Sequence, residues 1–110
     1  ADVLPEDQKL IMEISRLIRV GFLQQNAFHA VDTYVPIQKQ LRMMQVILHL
    51  YDRGMDLVRK SIPLSQLKET GIFEDIMKIK YDVKNEELDK MDSYQQRIDT
   101  LTDEILKNNE

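Results

Sequence analysis

The segment that most restricts the fold lies between two prolines. From Pro36 to Pro63 the sequence places Leu41, Met44, Ile47, Leu48, Tyr51, Met55 and Val58 on one broad helical stripe, with Ile37, Val46, Leu50 and Leu57 thickening it. Proline fits the first turn of a helix and cannot continue one, so Pro36 opens the segment and Ser61, Ile62 and Pro63 stop it. The pattern predicts a helix over about 36–60 at the centre of a bundle, and a stripe this wide belongs to a helix buried on more than one side.

Its neighbours follow from the same periodicity. Pro5, Glu6 and Asp7 make a helix start, because carboxylates favour the positive end of the helix dipole. Leu10, Ile14, Leu17, Ile18 and Gly21 then recur at helical spacing, with Ile11 and Phe22 widening the face, and predict a helix over about 5–24. Gly21 is unfavourable inside a helix, which suggests a close crossing by a neighbour. Short helices are expected near 63–70, ending at Thr70 and Gly71, and near 72–80 around Ile72, Ile76 and Ile79. A third long helix is expected over 85–107, capped by Asn85, with a seam of Met91, Tyr94, Ile98, Leu101 and Ile105 suited to one partner helix or a short coiled coil. The expected fold is therefore all-α, a single helical bundle over 1–110.

Composition excludes more than it suggests. With 110 residues, 31% of them charged, and a formal charge of −4, the chain lacks the clustered Lys and Arg that nucleic acid requires. The negative charge is concentrated in the acidic terminal segment 82–110, which reads as a solvated face. No apolar run approaches the length of a membrane span, and the absence of cysteine excludes disulfides and thiolate metal sites. His29 and His49 are the only histidines, and neither belongs to a ligand or hydrolytic pattern. Without a phosphate loop or nucleophile motif, no catalytic residue and no metal ligand is assigned. The chain opens on Ala1 in mid-motif without Met and reads as part of a longer protein.

One stretch is not explained by helix packing. The loop 24–36 is longer than the usual connection in a bundle and carries Phe28 and Tyr34. Its rings either cap one end of the core or serve a site. Here the sequence resembles a known family: Phe22 to His29, then Val31 to Tyr34, then Lys39, Gln40 and Met43, are similar to the carboxyl-terminal domain of the catalytic A subunit of archaeal and vacuolar-type rotary ATPases. The similarity continues through Leu48 to Asp52, Val58 to Leu67 and Met77 to Tyr81, and thins over the last helix. The amino end, Asp2 to Leu10, also resembles the acidic lever segment of the related F-type beta subunit, Asp-Glu-Leu-Ser-Glu-Glu-Asp-Lys-Leu. Asp2, Leu4, Glu6, Lys9 and Leu10 match it directly; Val3, Pro5 and Gln8 depart and make the segment less acidic.

The resemblance implies two sites. Phe28, with Ala27 and Gln25 beside it, corresponds to one wall of an adenine pocket, and Asp2, Leu4, Pro5, Glu6 and Asp7 to a contact with the central stalk. It also implies ATP or ADP with Mg in the whole catalytic polypeptide and none bound to this portion alone, because the phosphate loop, Mg²⁺ ligands and catalytic glutamate of the family lie upstream. The implied partners are the upstream nucleotide-binding domain, the B subunits of the catalytic hexamer and the central stalk, with no nucleic acid and no membrane insertion. The implied location is cytoplasmic, in the ATPase head peripheral to the membrane. The competing expectation is a free-standing helical adaptor that binds a partner helix through the 91–105 seam.

Overall fold

A computed structural model describes residues 4–23 and 35–110, with the side chains of Phe22 and Leu23 left aside. The described residues contain helices and turns and no strand. Helix α1 spans Glu6–Ile18 and continues as a π-helical turn over Arg19–Leu23; α2 spans Ile37–Arg59. Three short helices follow, α3 (Ser65–Lys68), α4 (Ile72–Met77) and α5 (Ile79–Asp82). A 3₁₀ turn at Leu88–Lys90 leads into α6 (Met91–Asn108). None of the described helices is long and apolar enough to cross a membrane.

The long central helix forms as its prolines dictate, but the face it buries differs from the expected stripe. Met43, Val46, Ile47, Leu50, Gly54 and Leu57 face inward, whereas Ile37, Leu41 and Leu48 are 70%, 60% and 51% exposed. The sequence offers apolar residues on nearly every side of α2, so hydrophobicity alone cannot fix its rotation. The neighbours fix it. Leu10 and Leu17 of α1 are fully buried, as are Ile98 of α6 and Leu64, Leu67, Ile72 and Ile79 of the crossover segment.

Gly54, and not Gly21, is the site of a close helix crossing. A Cβ at Gly54 would lie 2.8 Å and 2.9 Å from the two methyl carbons of Leu10, while a Cβ at Gly21 would meet nothing within 4 Å among the described residues. Gly21 instead sits within the π-helical turn, where weak helix propensity lowers the cost of leaving α geometry. On α1, Ile11 does not widen the core face but is exposed.

Packing of α6 on α2 is ordered by charge. Arg42 pairs with Asp92 at 3.4 Å, His49 with Asp99 at 2.7 Å, and Arg53 with both Asp99 and Asp103. Residue numbers rise together along both helices, so α2 and α6 run parallel, and the segment 60–90 is the crossover that returns the chain. The seam expected to await a partner helix is already covered within the chain: Met91 and Ile98 are fully buried, Ile105 nearly so, and Thr102 is buried among them. Thr102 is satisfied there because its hydroxyl donates to the Ile98 carbonyl at 2.7 Å. This removes the surface on which the adaptor expectation depended.

Asn85 does not cap the last helix, which starts at Met91 instead of 85. Its side-chain oxygen accepts a hydrogen bond from Lys39 at 3.2 Å. Lys39, only 2% exposed, also donates to the carbonyls of Lys80, at 3.0 Å, and Val83. These carbonyls end the short helix α5, and an ammonium group is suited to such orphaned acceptors. The expected 72–80 helix is divided at Lys78, between α4 and α5. Before it, Gly71 adopts φ 83°, a left-handed conformation that glycine takes without a Cβ penalty. Thr70 secures the same turn by donating to the Leu67 carbonyl at 2.6 Å and accepting from the Ile72 amide at 3.2 Å.

Candidate functional site

The described part of the expected site is the turn that opens α1. Pro5, with φ −57° and ψ 151°, occupies the cap position and turns the chain into the helix; its carbonyl accepts the Lys9 amide at 3.0 Å. Glu6 and Asp7 fall in the first turn, where the helix dipole favours negative charge. Their side chains part company there. Asp7 is exposed and its carboxylate accepts the Gln8 amide at 2.9 Å, while Glu6 is half-buried and turns inward.

Glu6 joins two distant parts of the chain. One carboxylate oxygen accepts the backbone amide of Leu64 at 2.8 Å, and the other accepts the Lys9 ammonium at 3.0 Å. The Leu64 amide is one of the orphan donors at the start of α3, so a carboxylate is a fitting partner. The Leu64 hydrogen bond first, and then Lys9, holds the Glu6 carboxyl below the usual carboxylate range. Leu64 itself is buried, and the tight turn preceding it uses Ser61 at φ 59° to bring Ile62 and Leu64 into the core.

A second brace lies further along α1. Glu13 takes Lys68 of α3 at 3.0 Å and Arg16 at 3.3 Å, and Arg16 reaches Glu74 of α4 at 3.2 Å. Burial alone would raise the Glu13 pKa, but the hydrogen bonds from Lys68 and Arg16 outweigh it and hold the carboxyl low. Between the two braces lies a cleft of about 460 Å³, whose walls include Leu4, Glu6, Met12, Pro63, Leu64 and Lys68. Within it the acids are already paired to bases, so what the cleft leaves unmatched is apolar surface, mainly Leu4 and Met12. This arrangement can transmit a force and seat a partner's side chain.

The expected site residues thus divide. Leu4, Pro5 and Asp7 are exposed on the turn, and Glu6 ties that turn to α3. Asp2, Gln25, Ala27, Phe28 and Tyr34 lie outside the described residues. At Val35, where the described residues resume, the Gln40 side chain donates to the backbone carbonyl at 2.8 Å and the Val35 side chain packs against the core. Sequence reasoning assigns Glu13, Lys68 and Lys39 no role. The only signal in the sequence is the spacing of Glu6 to Lys9 and of Glu13 to Arg16, which marks pairs on one helix but not their long-range partners.

Residues 1–68 match the family model described as the C-terminal domain of V and A type ATP synthase. The V-type ATP synthase alpha chain 2 of Clostridium tetani is 42% identical over 106 residues, which cover 96% of this chain and 18% of that protein. The A subunit of the A-type ATP synthase of Methanopyrus kandleri is 39% identical over 106 residues, again 96% of this chain and 18% of that protein. Its counterpart from Sulfolobus acidocaldarius is 41% identical over 106 residues, 94% of this chain and 18% of that protein. The chain spans less than a fifth of the length of these relatives. By family match and identity alike, the chain belongs to the C-terminal domains of the V- and A-type ATP synthase A subunits.

Proposed function

We propose that this domain, as the carboxyl-terminal part of the catalytic subunit of a proton- or sodium-coupled V/A-type ATP synthase, transmits opening and closing of the nucleotide site to the central stalk. ATP synthesis or hydrolysis takes place in the upstream nucleotide-binding domain, with Mg, in a hexamer completed by B subunits at the cytoplasmic face of the membrane. Exposed Leu4, Pro5 and Asp7, continued by Asp2, meet the stalk. Phe28, flanked by Ala27 and Gln25, contributes to the adenine pocket. An aromatic face stacked on a base is worth roughly 1–3 kcal/mol, enough to affect nucleotide affinity without supplying chemistry.

The observation that carries this reading is the Glu6 bond to the Leu64 amide. A turn that merely projected into solvent would yield when pushed. Here it is hydrogen-bonded to the start of α3 and continuous with a helix whose Leu10, Ile14 and Leu17 lie in the core. Force on Leu4 or Asp7 is therefore delivered to the whole bundle, as a lever requires. The test is torque, or ion transport per ATP hydrolysed, in the intact complex carrying Leu4→Ala and Asp7→Ala together. Coupling falls while nucleotide binding is retained; unchanged coupling refutes the stalk contact. Phe28→Ala in the same complex raises the KM for ATP, and an unchanged KM refutes the adenine assignment.

A further inference from the structure

The outer face of α2 has the character of a covered surface. Ile37, Leu41, Met44 and Leu48 recur at i, i+4, i+7 and i+11, which places them on one helical face about 16 Å long. Three of the four are more than half exposed, and they account for three of the seven large apolar side chains exposed among the described residues. The core-facing residues Met43, Val46 and Leu50 lie on roughly the opposite side of the helix. The basic residues of α2 lie off this face. Arg42, His49 and Arg53 are all engaged with aspartates of α6, so the strip from Ile37 to Leu48 contains no charge. Apolar residues without charges among them mark the centre of an interface in place of a solvated helix face.

We propose that this strip packs against the domain that precedes it in the same polypeptide. The inference rests on the reading of the chain as part of a catalytic A subunit. Two observations select this occupant. The relatives extend far beyond the matched region, which is 18% of their length, and the family is defined as a C-terminal domain, so the remaining polypeptide lies on the amino-terminal side. In addition, the strip begins at Ile37, directly after the segment 24–36 in the sequence, and that segment is the one proposed to contribute to the adenine pocket of the same preceding domain. A helix that packs its own domain with one face and the preceding domain with the other accounts for apolar residues nearly all round α2.

The test uses the full-length polypeptide with the photoreactive residue p-benzoylphenylalanine at position 41 or 48, and at position 104 as a control on the exposed face of α6. After irradiation, mass spectrometry identifies the attached peptide. The expected result is a cross-link from both 41 and 48 to a segment preceding Ala1 in the same polypeptide. Its yield is at least tenfold above that from 104 and independent of protein concentration. Attachment to residues 24–34, a yield that rises with concentration as two copies associate, or no attachment at either position overturns the proposal. Because the coupling assay on Leu4 and Asp7 tests the stalk contact independently, either proposal can fail while the other stands.

Discussion

Replacing Gly54 by alanine sets two effects of comparable size against each other. Alanine is favoured over glycine within a helix by about 1 kcal/mol. The added methyl would also approach the Leu10 methyls to 2.8 Å and 2.9 Å, so Leu10, which is fully buried, must shift within the core. Overpacking of this kind costs about 1–3 kcal/mol. The clash is the larger effect, so Gly54→Ala lowers the unfolding free energy by up to about 2 kcal/mol, measured by urea denaturation at constant m-value. In a Leu10→Ala background the obstruction is gone, and the same substitution should instead raise stability by about 1 kcal/mol. Gly21→Ala, where a Cβ meets nothing among the described residues, should also be neutral or stabilising. If Gly54→Ala stabilises the otherwise unaltered chain, the steric reasoning is wrong. If it destabilises both backgrounds equally, the obstruction is real but Leu10 is not its source.

Lys39→Met should cost roughly 2–5 kcal/mol, because it strips a donor from the Lys80 and Val83 carbonyls and from Asn85. Amide exchange over 80–87 should accelerate with it, and a loss below about 1 kcal/mol would show that water replaces the ammonium readily. Glu6→Gln tests the brace through pH. The folded-state pKa of Glu6 lies below its ordinary value of 4.5, so its contribution is complete above that value and is lost as pH falls through the folded pKa. The unaltered chain should therefore lose stability on acidification below about pH 4.5 more steeply than Glu6→Gln; parallel curves would mean that the Leu64 bond does not persist in solution.

The parts of this fold that are legible in the sequence are those set by local signals. Pro5, Pro36 and Pro63 mark helix boundaries because proline acts on its own backbone, and Thr70 with Gly71 marks a stop because a left-handed turn calls for glycine. Rotation about the helix axis is not legible for α2. With apolar residues at 37, 41, 44, 46, 47, 48 and 50, several faces compete, and only the partners decide among them. Long-range polar bonds are equally hidden. Lys39 looks like any other lysine in a row of letters, and its burial follows from acceptors 41 to 46 residues away. At the candidate site, the sequence marks the turn but not its division of labour. The helix start can be read from Pro5, Glu6 and Asp7, whereas the inward course of Glu6 depends on where Leu64 arrives.

The ion pairs between α2 and α6 carry one further consequence. The basic residues stand at 42, 49 and 53 and their aspartates at 92, 99 and 103, so the successive intervals, seven and then four, are identical on the two helices. Because the intervals are unequal, sliding α6 along α2 by one or two turns brings at most one aspartate opposite a basic residue. Each pair is exposed enough to contribute little alone, but only one alignment satisfies all of them together. Two parallel helices whose apolar seams could slide past one another are thus given a single register, set by an uneven scale marked in charge.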